Sequence, residues 1–217
     1  MRTMFDTIAP RYDVVNRIMT FGLDRMWRKK AVAALNLGPG SQVLDLACGT
    51  GDLCRDLDAA GHRPVGVDLS FGMLAHARTA APLLQGDALS LPFPDGALDG
   101  AISGFALRNF VALPPVFAEL GRVIRPGGRV SLLDVSIPSN PVLRTGHAVY
   151  FGHVVPRIGG LISDREAYRY LPRSVAYLPP GERIVEMLGE AGFGAVRRRR
   201  LSAGITQLIT ATRKVLE

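Results

Sequence analysis

From residue 42 onward, short apolar segments alternate with helical segments, and this alternation limits the fold more than any other feature of the sequence. The predicted strands are "QVLDLA", "RPVGVDLS", "PLLQGDA", "ALDGAISGF" and "RVSLLDVS". The helices between them are "GDLCRDLDAA", "GMLAHARTA" and "PPVFAELGRVI". Strands that alternate with helices in this way form a parallel sheet with helices on both faces. We therefore expect an α/β fold.

Three further segments complete the predicted domain of residues 1–217. Apolar residues at spacings of three and four predict helix over residues 4–36, within an N-terminal helical cap over residues 1–36. The alternation stops after "DVSIPSNP", and residues 137–178 predict a helical insertion that covers the substrate. The helix "GERIVEMLGEAGF" then precedes two strands, "AVRRRRLSA" and "TQLITATRK", which we expect to pair antiparallel.

The amino-acid composition limits the classes of binding partner but does not identify one. The net charge is +7 and the isoelectric point is about 10.0, which is compatible with nucleic acid, an anionic membrane surface or an acidic substrate. Most of the 26 basic residues are arginine, as a GC-rich genome would produce without functional demand. Cys48 and Cys54 form neither a disulfide framework nor a metal-ligand set, so we expect no metal and a reducing compartment. With no signal peptide or apolar span visible, the sequence predicts a cytoplasmic protein.

The most informative stretch is "VLDLACGTGDL", in which a strand runs through Gly49, Thr50 and Gly51 into a helix. Glycines permit a tight turn and let a ligand approach the backbone closely. In a parallel α/β sheet, ligands bind beyond the carboxyl ends of the strands, where this turn lies. The dinucleotide fingerprint requires a glycine at the position of Cys54, so a nicotinamide cofactor is disfavoured.

Aspartates follow the same strand ends. Asp68 ends the second strand, 19 residues after Gly49, and could accept hydrogen bonds from both ribose hydroxyls. Asp87 follows the third strand and could accept from an adenine amino group while the Ala88 N–H donates to the ring. Asp45 precedes the turn and could orient it or bind a ligand's ammonium group. Each could instead cap a helix or turn, but three together favour a nucleoside site.

The motifs "DLACGTG", "GVDLSFGML", "GDALSLPFPDGALD" and "RVIRPGGRV", in this order, resemble the class I S-adenosylmethionine-dependent methyltransferases. More closely, "MFDTIAPRYDVVNRIMTFGLDRMWRKKAV", "GFALRNF" and "EAGF" resemble the C-methyltransferases of ubiquinone and menaquinone synthesis, over nearly the whole chain. The resemblance implies a Rossmann-like, mostly parallel seven-stranded sheet and S-adenosylmethionine as cofactor. It also implies that Thr50, Asp68, Asp87 and Ala88 contact that cofactor.

The chain departs from these relatives at several positions. Gly104 stands where many of them have serine, so that cofactor contact is either missing or made by the backbone. Asp134 stands where they usually have glutamate, and "GITQLITATR" lacks a histidine common near that position. The complete predicted cofactor site is Asp45, Gly49, Thr50, Gly51, Asp68, Asp87, Ala88 and Gly104.

Arg108 and Asn109 follow the fourth strand at the same edge of the sheet and are the predicted catalytic residues. Methylation of a quinol ring carbon requires an electron-rich ring and the loss of a proton. We expect Arg108 to stabilise a quinolate or position a water, and Asn109 to hydrogen-bond the second ring oxygen. The alternative role of Arg108 is an ion pair with a carboxylate that holds the loop. Asp134, Tyr12 and His147 are alternative bases.

The predicted substrate is a prenylated quinol, with demethylmenaquinol favoured. Alternatives are 2-methoxy-6-polyprenyl-benzoquinol, a phospholipid amine, a polyketide phenol, or cofactor binding without catalysis; no feature supports a nucleic-acid partner. A lipid tail and a basic chain predict weak association with the inner face of an anionic membrane, and a homodimer stays open. The predicted lining for the tail is Val142, Val149, Phe151, Val154, Ile158, Tyr168 and Tyr170.

Overall fold

The structure is a computed structural model that describes residues 2–155, 174 and 177–215. Its centre is a seven-stranded sheet of order β3-β2-β1-β4-β5-β7-β6. All neighbouring strands from β3 to β5 are parallel, and β7 is antiparallel to both β5 and β6. This confirms the predicted fold. The strands are β1 Gln42–Leu46, β2 Arg63–Asp68, β3 Leu83–Gln85, β4 Leu98–Gly104, β5 Ile124–Val135, β6 Phe193–Leu201 and β7 Thr206–Arg213.

Helices cover both faces of the sheet. They are α1 Arg2–Ile8, α2 Tyr12–Met19, α3 Leu23–Leu35, α4 Asp52–Ala59, α5 Phe71–Ala75, α6 Leu113–Val123, α7 Pro141–Val149 and α8 Gly181–Glu190. Successive strand residues point to opposite faces, so Val43 packs with α3 and α4 whereas Leu44 packs with α6 and α8. Two apolar layers therefore hold the sheet rigid and leave its carboxyl edge for the site.

The N-terminal cap is broken where the sequence predicts helix over residues 4–36. A 3₁₀ turn at Ala9–Arg11, which contains Pro10, separates α1 from α2. Phe21 and Gly22 adopt φ angles of +52° and +74°, which separate α2 from α3. The breaks let the cap fold over the carboxyl edge of the sheet, where Asp6 accepts hydrogen bonds from Ser70 Oγ at 2.5 Å and from the Gly72 N–H at 2.9 Å.

The insertion after β5 packs against this cap. Its first helix, α7, is capped by Asn140, whose side chain accepts hydrogen bonds from the Val142 and Leu143 N–H groups. It continues as a π-helical turn at Tyr150–Val154, where the Tyr150 hydroxyl donates to the Met19 carbonyl at 2.9 Å. Residues 156–173 and 175–176, and with them the predicted lining residues Ile158, Tyr168 and Tyr170, lie outside the described residues.

Candidate active site

The glycine turn after β1 has the backbone that its sequence predicts. Gly49 and Gly51 have φ angles of +55° and +79°, and Ala47 has +58°. A Cβ atom on Gly51 would lie 2.7 Å from Thr79 Cγ2, so both the backbone angle and the space require glycine there. The turn leads directly into α4 and leaves its backbone open to a ligand.

Asp68 holds this turn in place. Its Oδ2 accepts from the Gly49 N–H at 2.8 Å, and its Oδ1 accepts from the Ser70 N–H at 2.8 Å. Each carboxylate oxygen keeps a second acceptor site, which can serve ribose hydroxyls. Burial raises the pKa of Asp68, and the two backbone N–H groups oppose that rise.

A small cavity of about 140 Å³ lies beyond β1, β2 and β4. Its wall brings together five residues predicted to bind the cofactor, namely Gly49, Asp68, Asp87, Ala88 and Gly104. Asp87 Oδ1 already accepts from the Leu89 N–H at 3.0 Å, which fixes the direction of its side chain. Asn109, predicted to be catalytic, lies in the wall of this cavity too.

A larger cavity of about 560 Å³ lies between the cap, the carboxyl edge of the sheet and α7. Predicted residues in its wall are Asp45, Thr50 and Arg108, and Val142 and Leu143 of the insertion line it with Trp27 of α3. Of the other predicted lining residues, Val149 is exposed and is not part of this wall. The two cavities share the wall residues Tyr12, Ala47, Gly49, Gly104 and Phe105. A ligand that fills both would pass over the glycine turn.

Gly104 ends β4 at the junction of the two cavities. A Cβ atom there would lie 2.8 Å from Leu53 Cδ1. The Gly104 backbone and the Leu53 side chain therefore shape the junction in this chain. Any contact that Gly104 makes with a ligand comes from its peptide groups.

Asp45 presents an unsatisfied acceptor. The residue is 1% exposed, its Oδ2 accepts from Cys54 Sγ at 3.3 Å, and its Oδ1 has no hydrogen-bond partner within the part of the chain that the structure describes. Burial raises the pKa of Asp45 to about 7, and the Cys54 thiol opposes that rise. A buried carboxylate oxygen in the cavity wall fits a ligand cation such as the ammonium group of S-adenosylmethionine.

Thr50 meets a partner that the sequence analysis missed. Its hydroxyl donates to Asp13 Oδ1 of α2 at 2.5 Å. Asp13 is 37 residues away in the chain, so no local spacing could reveal the contact. Together with Asp6, this carboxylate fastens the cap to the loops that follow β1 and β2.

Arg108 lies in a 3₁₀ turn, Leu107–Asn109, directly after β4 and is 8% exposed. Its Nη1 donates to Asp134 Oδ1 at 2.5 Å, and Asp134 is completely buried. The Arg108 N–H donates to Asp134 Oδ2 at 3.3 Å. Arg108 Nε finds no acceptor among the described residues. The arginine thus forms the carboxylate ion pair weighed in the sequence analysis and still carries a buried donor at the larger cavity.

The ubiE/COQ5 methyltransferase family matches residues 1–213. The chain belongs to this family. Two relatives of this chain are a ubiquinone/menaquinone biosynthesis C-methyltransferase UbiE of Syntrophotalea carbinolica and a demethylmenaquinone methyltransferase of Thermus thermophilus. Both are 44% identical; the alignments cover 99% and 94% of this chain, and 94% and 97% of the relatives. The predicted methyltransferase activity and S-adenosylmethionine cofactor are confirmed.

Solved structures share the fold at low identity. A methyltransferase of Aquifex aeolicus dependent on S-adenosylmethionine has a TM-score of 0.64 at 16% identity, over 88% of this chain and 92% of that one. Phosphoethanolamine N-methyltransferase 2 of Haemonchus contortus, solved with S-adenosyl-L-methionine, has a TM-score of 0.62 at 16% identity. The match covers 85% of this chain and 52% of that one. At this identity the likeness extends to the Rossmann-like fold alone.

The raised pKa of Asp45 predicts that the protein releases a proton when the cofactor binds. A cation beside the carboxylate favours its charged form, so a ligand ammonium lowers a pKa that starts at about 7. Near pH 7, titration calorimetry in two buffers of different ionisation enthalpy should therefore give different apparent enthalpies. Asp45→Asn removes the titrating group and should reduce the difference. A buffer dependence identical in both proteins would contradict the assignment of Asp45.

Asp45 also affects the stability of the ligand-free protein. Its folded pKa lies above the unfolded value of 3.8, so the folded state binds the extra proton between those two values. This contribution to the free energy of unfolding is full below about pH 4 and is lost as the pH rises through about 7. The cofactor cation should offset that loss.

Proposed function

We propose that this chain transfers a methyl group from S-adenosylmethionine to a ring carbon of demethylmenaquinol. The observation that carries the proposal is the junction of two cavities at the glycine turn. One is lined by Asp68 and Asp87, and the other is large, mostly apolar and bounded by the cap and α7. The names of the relatives, which include demethylmenaquinone methyltransferase, support the choice of ring.

The predicted cofactor residues occupy suitable places for this ligand. Asp68, Asp87 and Ala88 would hold the ribose and adenine in the small cavity. Gly49, Thr50 and Asp45, which line the larger cavity, would hold the amino-acid end. Gly51 lines neither of the two cavities and would act by shaping the turn. When bound, S-adenosylmethionine supplies an electrophilic methyl group on a sulfonium sulfur.

We assign to Arg108 the stabilisation of negative charge on the substrate oxygen. A quinol that gives up its hydroxyl proton carries negative charge on oxygen, which increases electron density on the adjacent ring carbon. Arg108 lines the larger cavity, and its guanidinium can donate to that oxygen while Nη1 keeps its ion pair with Asp134. With the cofactor bound, the ring carbon would take the methyl group as the sulfur–methyl bond broke, and the sulfur would keep the electron pair. The hydroxyl proton would first pass to water, the ring proton would follow after methylation, and the quinolate oxygen would take one proton back.

Two of the alternative bases are less suitable in this geometry. Asp134 is completely buried and already accepts from Arg108 and from the Val135 N–H. Burial of the ring raises the pKa of Tyr12, so the phenol keeps its proton at neutral pH and acts as a donor. His147 lies in the cavity wall, and burial lowers its pKa. Its imidazole is therefore neutral near pH 7 and can accept a proton.

Incubation with labelled S-adenosylmethionine tests the proposed function. The purified protein should methylate chemically reduced demethylmenaquinol, and mass spectrometry should place the methyl group on the ring carbon beside the prenyl group. The 2-methoxy-6-polyprenyl-benzoquinol, a phosphoethanolamine lipid and a prenyl-free naphthol serve as competing acceptors. Faster methylation of any of these than of demethylmenaquinol would overturn the substrate, and cofactor binding without any product would overturn the activity.

The role of Arg108 can be separated from its structural ion pair. Arg108→Gln leaves the Asp134 carboxylate buried without its cation and should destabilise the protein by about 3 kcal/mol. Adding Asp134→Asn removes that buried charge and should restore much of the lost stability. Turnover should stay about 10²–10³ below wild type in both variants, because neither has a cation for the quinolate.

Thermal melts, S-adenosylmethionine affinity and single-turnover rates on these two variants decide between the roles. Cofactor affinity should stay near wild type in the double variant, since Arg108 acts on the other ligand. If the double variant recovered turnover together with stability, Arg108 would be a structural residue only.

Membrane association is the remaining part of the proposal. No described helix is long and apolar enough to span a bilayer. The mouth of the larger cavity is nevertheless apolar and exposed: Phe21 is 78% exposed and Val142 is 79% exposed. Three exposed arginines lie close in sequence to these two residues: Arg17 of α2, Arg25 of α3 and Arg144 of α7. Such a mouth can take a prenyl tail from an anionic bilayer.

Liposome flotation tests this surface. Recovery with anionic vesicles should exceed recovery with neutral ones at low salt and should fall at high salt. Phe21→Ser should reduce recovery, whereas Val111→Ser, which changes an exposed apolar residue outside both cavities, should not. Equal recovery with neutral and anionic vesicles would remove the charge argument. The predicted homodimer stays a prediction.

A further inference from the structure

A carboxylate of the N-terminal cap lies in the wall of the larger cavity. Asp13, in the first turn of α2, is partly exposed and lines this cavity. Its Oδ1 accepts from the Thr50 hydroxyl at 2.5 Å, which fixes the direction of the side chain. Its Oδ2 accepts no hydrogen bond from the residues that the structure describes, and it is not one of the inaccessible atoms without a partner. Oδ2 therefore offers an accessible acceptor to a ligand.

The other carboxylates in this wall are less available to a ligand. Asp24 and Asp52 both pair with Arg28 Nη1, at 2.5 and 2.9 Å, so each already has a cationic partner. Asp45 is 1% exposed, and its Oδ1 has almost no accessible surface. By contrast, Asp13 forms no ion pair with any residue in the described part of the chain. Of these four carboxylates, Asp13 is the accessible one whose charge lacks a cation.

The glycine turn indicates which ligand cation would meet Asp13. Thr50 follows Gly49 in that turn and lines the larger cavity, whereas Asp68 and Asp87 line the small one. A cofactor with its nucleoside in the small cavity would place its amino-acid end beyond the turn, where Asp13 contacts Thr50. S-adenosylmethionine carries an ammonium group at that end, and an ammonium group can donate three hydrogen bonds.

We propose that Asp13 binds the α-ammonium group of S-adenosylmethionine directly through Oδ2, so that the N-terminal cap supplies part of the cofactor site. This inference rests on the proposed function, because that function places the amino-acid end of the cofactor beside Thr50. The less accessible Asp45 adds its charge from deeper in the wall. A hydrogen bond from an ammonium to a carboxylate is charge-assisted and is stronger than a neutral one.

The proposed contact couples the cofactor to the acceptor compartment. Asp13 belongs to α2, and the same helix contributes Tyr12, Asn16 and Met19 to the wall of the larger cavity. A cofactor bound to Asp13 would therefore hold in place the helix that forms one side of that compartment.

Two ligands isolate the ammonium group. S-adenosylhomocysteine carries it, and the analogue of S-adenosylhomocysteine that lacks the amino group keeps the nucleoside, the sulfur and the carboxylate. Neither ligand has a methyl group to transfer, so neither is consumed. Isothermal titration calorimetry with each ligand gives two dissociation constants, and their ratio measures what the ammonium group contributes to binding.

Wild-type protein should bind S-adenosylhomocysteine about 100-fold more tightly than the deamino analogue, because the analogue loses charge-assisted hydrogen bonds. Asp13→Asn keeps an oxygen that can accept from Thr50 but removes the charge. The preference should then fall to about tenfold, since one charged acceptor is lost. Affinity for the deamino analogue should not fall.

Asp6→Asn is the matched control. Asp6 also fastens the cap, by accepting hydrogen bonds from Ser70 and Gly72, but it lines neither cavity. This variant should change the affinity for both ligands by the same factor and keep the wild-type preference. Thermal melts establish that both variants are folded, and Asp13→Ser replaces the asparagine variant should that one not fold.

The ratio of dissociation constants decides the outcome. If Asp13→Asn weakened both ligands equally and kept the wild-type preference, Asp13 would only fasten the cap and the inference would be wrong. A wild-type protein without any preference would overturn it too. Product analysis with demethylmenaquinol tests the proposed function separately, since neither titration requires an acceptor.

Discussion

The carboxylate of Asp68 joins the glycine turn after β1 to the start of α5, and the rest of the site is arranged around this junction. Its two hydrogen bonds fix where the turn lies relative to β2. Gly49 of this turn lies in the wall of both cavities. In the proposed function, the methyl donor lies on one side of this junction and the acceptor on the other, so the reaction would depend on its geometry.

A second constraint lies at the end of β5. Asp134 is buried without access to water, so it requires a cation, and Arg108 supplies it. The ion pair fixes the guanidinium in the wall of the larger cavity. It is therefore compatible with the catalytic role that we propose for Arg108.

The cap and the insertion convert this edge of the sheet into an enclosed site. Asp6 and Asp13 fasten the cap to the loops at the carboxyl ends of β1 and β2, and Tyr150 joins the insertion to the cap. Among the residues described, Asp45 Oδ1 and Arg108 Nε are two of the buried polar atoms that these contacts leave without a hydrogen bond.

The sequence alone determined the order of strands and helices, since alternating apolar and amphipathic segments have few stable arrangements. It also determined the glycine turn, because positive φ angles at Gly49 and Gly51 require glycine. Contacts between distant residues were decided by the tertiary structure. The pairing of Arg108 with Asp134, of Thr50 with Asp13, and the placement of Asn109 and Arg108 in different cavities depend on how the strand ends meet. Residues far apart in sequence carry no local pattern that records such proximity, so only the folded chain could supply it.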